Sequence, residues 1–123
     1  PRWTLRTIIT EPAAIAGRDS DAVALAERVG LIPDLLDRQP GQVSDGQLQR
    51  ACLGRALAQQ PDYLLCDEPT AMLDPVAARG VVATLAELAD DGVGIVLVSH
   101  NHGLVRARCT HTLCLVDKTC PNG

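Results

Sequence analysis

Apolar residues recur at helical spacing up to about residue 60 and gather into short unbroken runs after it. Leu5, Ile8 and Ile9 fall on one face of a helix that Thr4 can cap, and Pro12 is expected to kink or end it. Residues 17–20 read as a turn. Asp19 or Ser20 then caps a second helix with Val23, Ala26 and Val29 facing inward, and Gly30 stops it. Pro33 can open a short third helix that buries Leu35 and Leu36. Beyond the loop at 39–42, Leu48, Cys52 and Ala56 or Leu57 share one side of a longer helix, for which Ser44 or Asp45 is a natural cap.

The second half changes rhythm. Tyr63, Leu64, Leu65 and Cys66 predict a short strand buried on both faces, as in parallel sheets. It runs directly into Asp67, Glu68 and Pro69. Asp74 followed by Pro75 is a cap with proline at the first helical position, and the helix beyond carries Val81, Val82, Leu85 and Leu88 despite Gly80. Gly92 ends it, and residues 93–98 form a second buried strand. Strand, helix, strand in that order predicts a right-handed parallel crossover. Asn101 caps a short helix to about Arg108, residues 110–116 read as a third strand, and the rest is a polar tail.

In open α/β sheets ligands bind at the carboxyl ends of strands. Two adjacent acids there are costly unless they have work to do. Asp67 and Glu68 are therefore candidate site residues, pointing opposite ways so that one can hold a cation while the other faces a water. His100 closes the neighbouring strand and would share their edge. A helix start preceded by Ser44, Asp45 and Gly46 offers free backbone N–H groups that attract phosphate.

Composition narrows the class. At 123 residues the chain is one domain or less, with Trp3 and Tyr63 as its only aromatic residues, so the core is aliphatic. A net charge of -4 with no basic stripe argues against nucleic acid as the main partner. Five cysteines, an odd count, indicate reduced thiols rather than a disulfide framework. Cys52 and Cys66 read as small core residues. Cys109, His111, Cys114 and Cys120 lack the paired spacing of a zinc site. No signal peptide opens the chain and no apolar run is long enough to span a bilayer. The chain opens on Pro1 rather than Met and reads as a piece of a longer protein.

Together these residues resemble an ATP-binding cassette (ABC) ATPase, the motor subunit of ABC transporters. Val43, Ser44, Asp45, Gly46 and Gln47 look like the signature motif. Leu64 to Glu68 looks like the Walker B strand with its catalytic glutamate. Ala71, Met72, Leu73 and Asp74 look like the D-loop, and His100 like the switch histidine. The opening, through Trp3, Leu5 and Pro12, is similar to peptide and nickel importer ATPases. Two features depart from the pattern. The P-loop is missing, Lys118 being the only lysine, and Asp45 stands where the family has glycine.

The resemblance implies an α/β fold: residues 61–123 as the C-terminal part of a P-loop NTPase (RecA-like) core with parallel strands, and residues 1–60 as an all-helical subdomain before it. It implies ATP and Mg²⁺, with Asp67 on the metal, Glu68 polarising the attacking water and His100 on the γ-phosphate. Ser44, Asp45, Gly46 and Gln47 would meet ATP bound to a second cassette subunit, the same or different in sequence, and Asp74 would couple the two sites. Transmembrane permease subunits would be direct partners and a solute-binding protein an indirect one, at the cytoplasmic face of the membrane. A non-transport ABC ATPase and a degenerate, non-enzymatic cassette are the competing readings.

Overall fold

Capping and stripe geometry account for most of the helical half. The computed structural model describes residues 3–113. Helix α1 (Leu5–Ile15) starts at Thr4, whose hydroxyl accepts the Thr7 N–H, and it buries Leu5, Ile9 and Ala13 at successive i+4 positions. Pro12 does not end it. Proline forfeits one bond in the ladder, but buried Ala13 and the bond from Ala16 N–H to Pro12 O at 3.2 Å carry the next turn. Helix α2 (Ala22–Arg28) is capped by Asp21, later than either expected residue. Its inward stripe is Ala22, Ala26 and the following Val29, which leaves Val23 exposed. Gly30 takes φ +74 and breaks the helix there.

Pro33–Leu35 is a single 3-10 turn rather than a helix, with Leu36 fully buried behind it. A second 3-10 turn, Pro40–Gln42, leads to helix α3 (Asp45–Leu57). Here the buried positions are Ala51, Leu53, Gly54 and Leu57, whereas Leu48 is half-buried and Cys52 exposed. The rotation has a packing cause. Gly54 lies under Ile9, and a Cβ there would sit 3.5 Å from two Ile9 side-chain carbons, so α1 crosses α3 on its smallest residue.

Strand β1 (Tyr63–Asp67) and strand β2 (Gly94–Val98) pair in parallel, in register from Tyr63 opposite Gly94 to Asp67 opposite Val98. The 16-residue helix α4 (Pro75–Asp90) connects them, capped by Asp74 and closed before Gly92 at φ +98. Among the described residues, only one sheet face is covered. Leu64 and Cys66 join the core with Val81, Leu85 and Leu88 of α4, but Tyr63 and Leu65 are 75% and 73% exposed, correcting the expectation of burial on both faces. Cys66 is the core thiol, and burial pushes its pKa up. Helix α5 (His102–Arg108) follows, capped by Asn101. Residues 110–113 form bends and coil rather than the expected strand; residues 114–116 lie outside the described part, as do Cys114, Lys118 and Cys120. No helix of the described residues is long and apolar enough to cross a membrane.

Candidate functional site

The two strand ends are adjacent, so the three rim residues share one edge, and two of them touch. Glu68 follows β1 directly, and its N–H donates to Val98 O at 2.7 Å, continuing the ladder one residue. Its carboxylate then reaches across: Oε1 accepts the backbone N–H of His100 at 2.9 Å and lies 3.5 Å from His100 Nε2. The main-chain bond is the stronger contact. The ring contact is long and the imidazole is 99% exposed, so it adds little as an ion pair and stays free to turn. Asp67 is exposed, on the open sheet face with Tyr63 and Leu65.

Glu68 has φ +47, a left-handed conformation that a side chain disfavours by about 1–2 kcal/mol. Three bonds hold it there: its N–H to Val98, its carbonyl accepting Ala71 N–H at 3.1 Å, and its carboxylate on His100. The turn swings Glu68 out of the strand's alternation and across to β2, so the two acids do not simply project from opposite sheet faces.

A second group forms where α3 and α4 begin. Ser44 is the cap of α3: its Oγ accepts the Gln47 N–H at 3.1 Å, and Gln47 Oε1 accepts the Ser44 N–H at 2.9 Å, a reciprocal capping box. Asp45 is exposed in the first turn, where a negative charge suits the helix dipole. Gly46 rests on α4; a Cβ there would lie 3.2 Å from the Ala77 methyl. Asp74 Oδ1 accepts the Ala77 N–H at 2.8 Å and so caps α4. Residues 43–46 and 72–74, with Ala77, line one open cleft of about 390 Å³. Ala77 escaped the sequence reading; the signal was the glycine in the first turn of α3, which a close neighbour requires.

The structure thus brings Asp67, Glu68 and His100 to one rim, and Ser44, Asp45, Gly46 and Asp74 to one cleft. Gln47 departs from expectation in that its amide oxygen is turned back onto its own helix start. The chain's own donor set is thin for a metal. Among the described residues no three His, Cys, Asp or Glu side chains cluster. Mg²⁺ characteristically takes one or two carboxylates and completes its shell from phosphate and water, and the exposed Asp67 fits that limited part.

The ABC transporter family matches residues 3–71. This chain belongs to the ABC transporter ATPase family. The Probable D,D-dipeptide transport ATP-binding protein DdpF of Escherichia coli K12 is 42% identical over 113 residues, covering 86% of this ABC chain and 37% of DdpF. The glutamate transport ATP-binding protein GluA of Corynebacterium glutamicum is 42% identical over 96 residues, covering 78% and 39%. Among solved structures, the dimeric post-hydrolysis state of the ATP-binding cassette MJ0796 bound to ADP and Pi matches with a TM-score of 0.72 at 28% identity, over 86% of this chain and 50% of that one. The mixed α/β architecture with parallel strands therefore corresponds to part of an ABC cassette, and the chain spans half or less of each of these three relatives.

Proposed function

We propose that this chain is part of the ATP-hydrolysing subunit of an ABC importer for peptides, nickel or similar solutes, with residues 61–123 in the RecA-like core and 1–60 in the helical subdomain. The observation that carries the reading is the Glu68 carboxylate, anchored through one oxygen to the His100 main chain with the imidazole alongside. The other oxygen is left to polarise an attacking water, and the exposed imidazole is suited to the charge that spreads over a transferring phosphoryl group.

Asp67 would hold Mg²⁺, which supplies charge neutralisation on the phosphates when bound. The other roles fall to the second cleft. The start of α3, with Ser44 exposed and Gly46 half-buried against α4, offers an anion its free end toward ATP on a second cassette. Gln47 contributes by holding that start rigid. The exposed Asp45 carboxylate supports a weakened phosphate contact at this turn. Asp74, at the head of α4 in the same cleft, would couple the two sites across the pair. Permease subunits at the cytoplasmic face of the membrane would receive the motion, with a solute-binding protein acting through them. The likeness to DdpF is what favours a peptide-type solute. The deciding experiment is Glu68→Gln in the full-length protein: ATP binding persists and turnover disappears. Steady-state hydrolysis near wild type would remove Glu68 from its role.

A further inference from the structure

Arg50 sits in the second turn of α3 and is half-buried. Among the described residues it has no carboxylate partner within ion-pair distance. Instead its Nη1 donates to Val29 O at 2.7 Å, at the end of α2, and to Thr84 Oγ1 at 2.9 Å, on α4. The Val29 carbonyl is at a helix C-terminus, where a cation is favoured. Thr84 is the buried polar residue of the core, and its hydroxyl donates in turn to Gly80 O at 3.1 Å. The guanidinium passes between two glycines: a Cβ on Gly30 would collide with Nη1, and one on Gly80 with Nη2. Gly30 needs glycine for its positive φ in any case. Gly80 does not, since it lies inside a regular helix where glycine is unfavourable. The guanidinium is the reason for Gly80 that the structure offers.

We infer that Arg50 is a positioning residue: one side chain locks α2, α3 and α4 together and so fixes the 44–47 turn against the Asp74 cap. The consequence lies one turn away, where Gly46 meets Ala77 and the two loops form one cleft. The role assigned to that cleft rests on the function proposed above, whereas the lock itself does not.

The test is a double-mutant cycle in the full-length protein, with Arg50→Ala and Gly80→Ala. Gly80→Ala lowers the unfolding midpoint when Arg50 is present, because the new methyl displaces the guanidinium. In the Arg50→Ala background the same change raises the midpoint through helix propensity. Equal shifts in both backgrounds overturn the lock. Arg50→Lys keeps the charge, but its ammonium ends one bond short of the Nη1 position that donates to both Val29 O and Thr84 Oγ1. It lowers kcat by about tenfold to a hundredfold and raises KM for ATP through misplacement of the turn, while the unfolding midpoint falls less than in Arg50→Ala. Wild-type kcat in Arg50→Lys overturns the positioning role. If the wild-type protein hydrolyses no ATP, the functional reading fails while the thermal cycle still decides the lock.

Discussion

The backbone N–H of His100 donates to Glu68 Oε1 at 2.9 Å, so the acid is held by a main-chain group that every substitution at 100 except proline keeps. His100→Ala should therefore leave the folded state as stable as wild type while turnover falls steeply. Urea denaturation and an ATPase assay on the same preparation check both halves. A large loss of stability would mean that the exposed ring carries structure.

Gly46 predicts an internal, not only an intermolecular, constraint. Valine there adds bulk against the Ala77 methyl, which starts 3.2 Å from the position of a Cβ. Gly46→Val should cost about 1–3 kcal/mol through overpacking. Ala77→Gly in the same chain should recover part of the loss, as read from denaturation midpoints.

Ser44 separates capping from chemistry. Ser44→Ala removes the acceptor for Gln47 N–H and should cost about 1 kcal/mol. Ser44→Asp keeps a capping oxygen and should retain stability, yet it adds negative charge where phosphate is proposed to arrive and should depress turnover. Equal turnover in Ser44→Asp and wild type would detach this turn from nucleotide.

Cys66 gives a pH dependence. Burial holds its thiol above the usual value of 9.0, so the folded chain keeps a proton that the unfolded chain loses. Its contribution is fully present below that value. Stability should decline as pH rises past it and level off once the buried thiol also ionises. Cys66→Ala removes this slope while lowering stability overall. Denaturation series at neutral and alkaline pH, compared between the two proteins, check the sign. Thiol labelling of the native state offers a companion test, with exposed Cys52 reacting quickly and Cys66 only on unfolding.

The segment by itself should bind no ATP at micromolar concentration, because it contains no glycine-rich loop with its lysine to cradle the phosphates. Calorimetry showing tight binding would contradict this.

Much of this architecture was written in local chemistry. Thr4, Ser44, Asp74 and Asn101 each announce a helix start because a short polar side chain there satisfies an orphan N–H. The parallel pair and its shared rim followed from strand, helix, strand order. What escaped depends on partners distant in sequence. Spacing puts Cys52 on the buried face of α3, whereas Gly54 under Ile9 turns that face away, and spacing alone carries no record of which helix crosses where. The same holds for the site. Asp67, Glu68 and His100 could be listed from sequence, but not the turn of Glu68 onto a main-chain donor. Gly80 is a flaw in a helix by propensity alone and a fitted position beside the Arg50 guanidinium.

The backbone at position 68 sets evolution and engineering against each other. Asparagine or glycine would occupy φ +47 more comfortably than glutamate does. A laboratory campaign that rewards relief of backbone strain alone should therefore drift toward those residues and harvest proteins that have silently lost the carboxylate to which hydrolysis is assigned above. Screens on this protein need a turnover readout in every round.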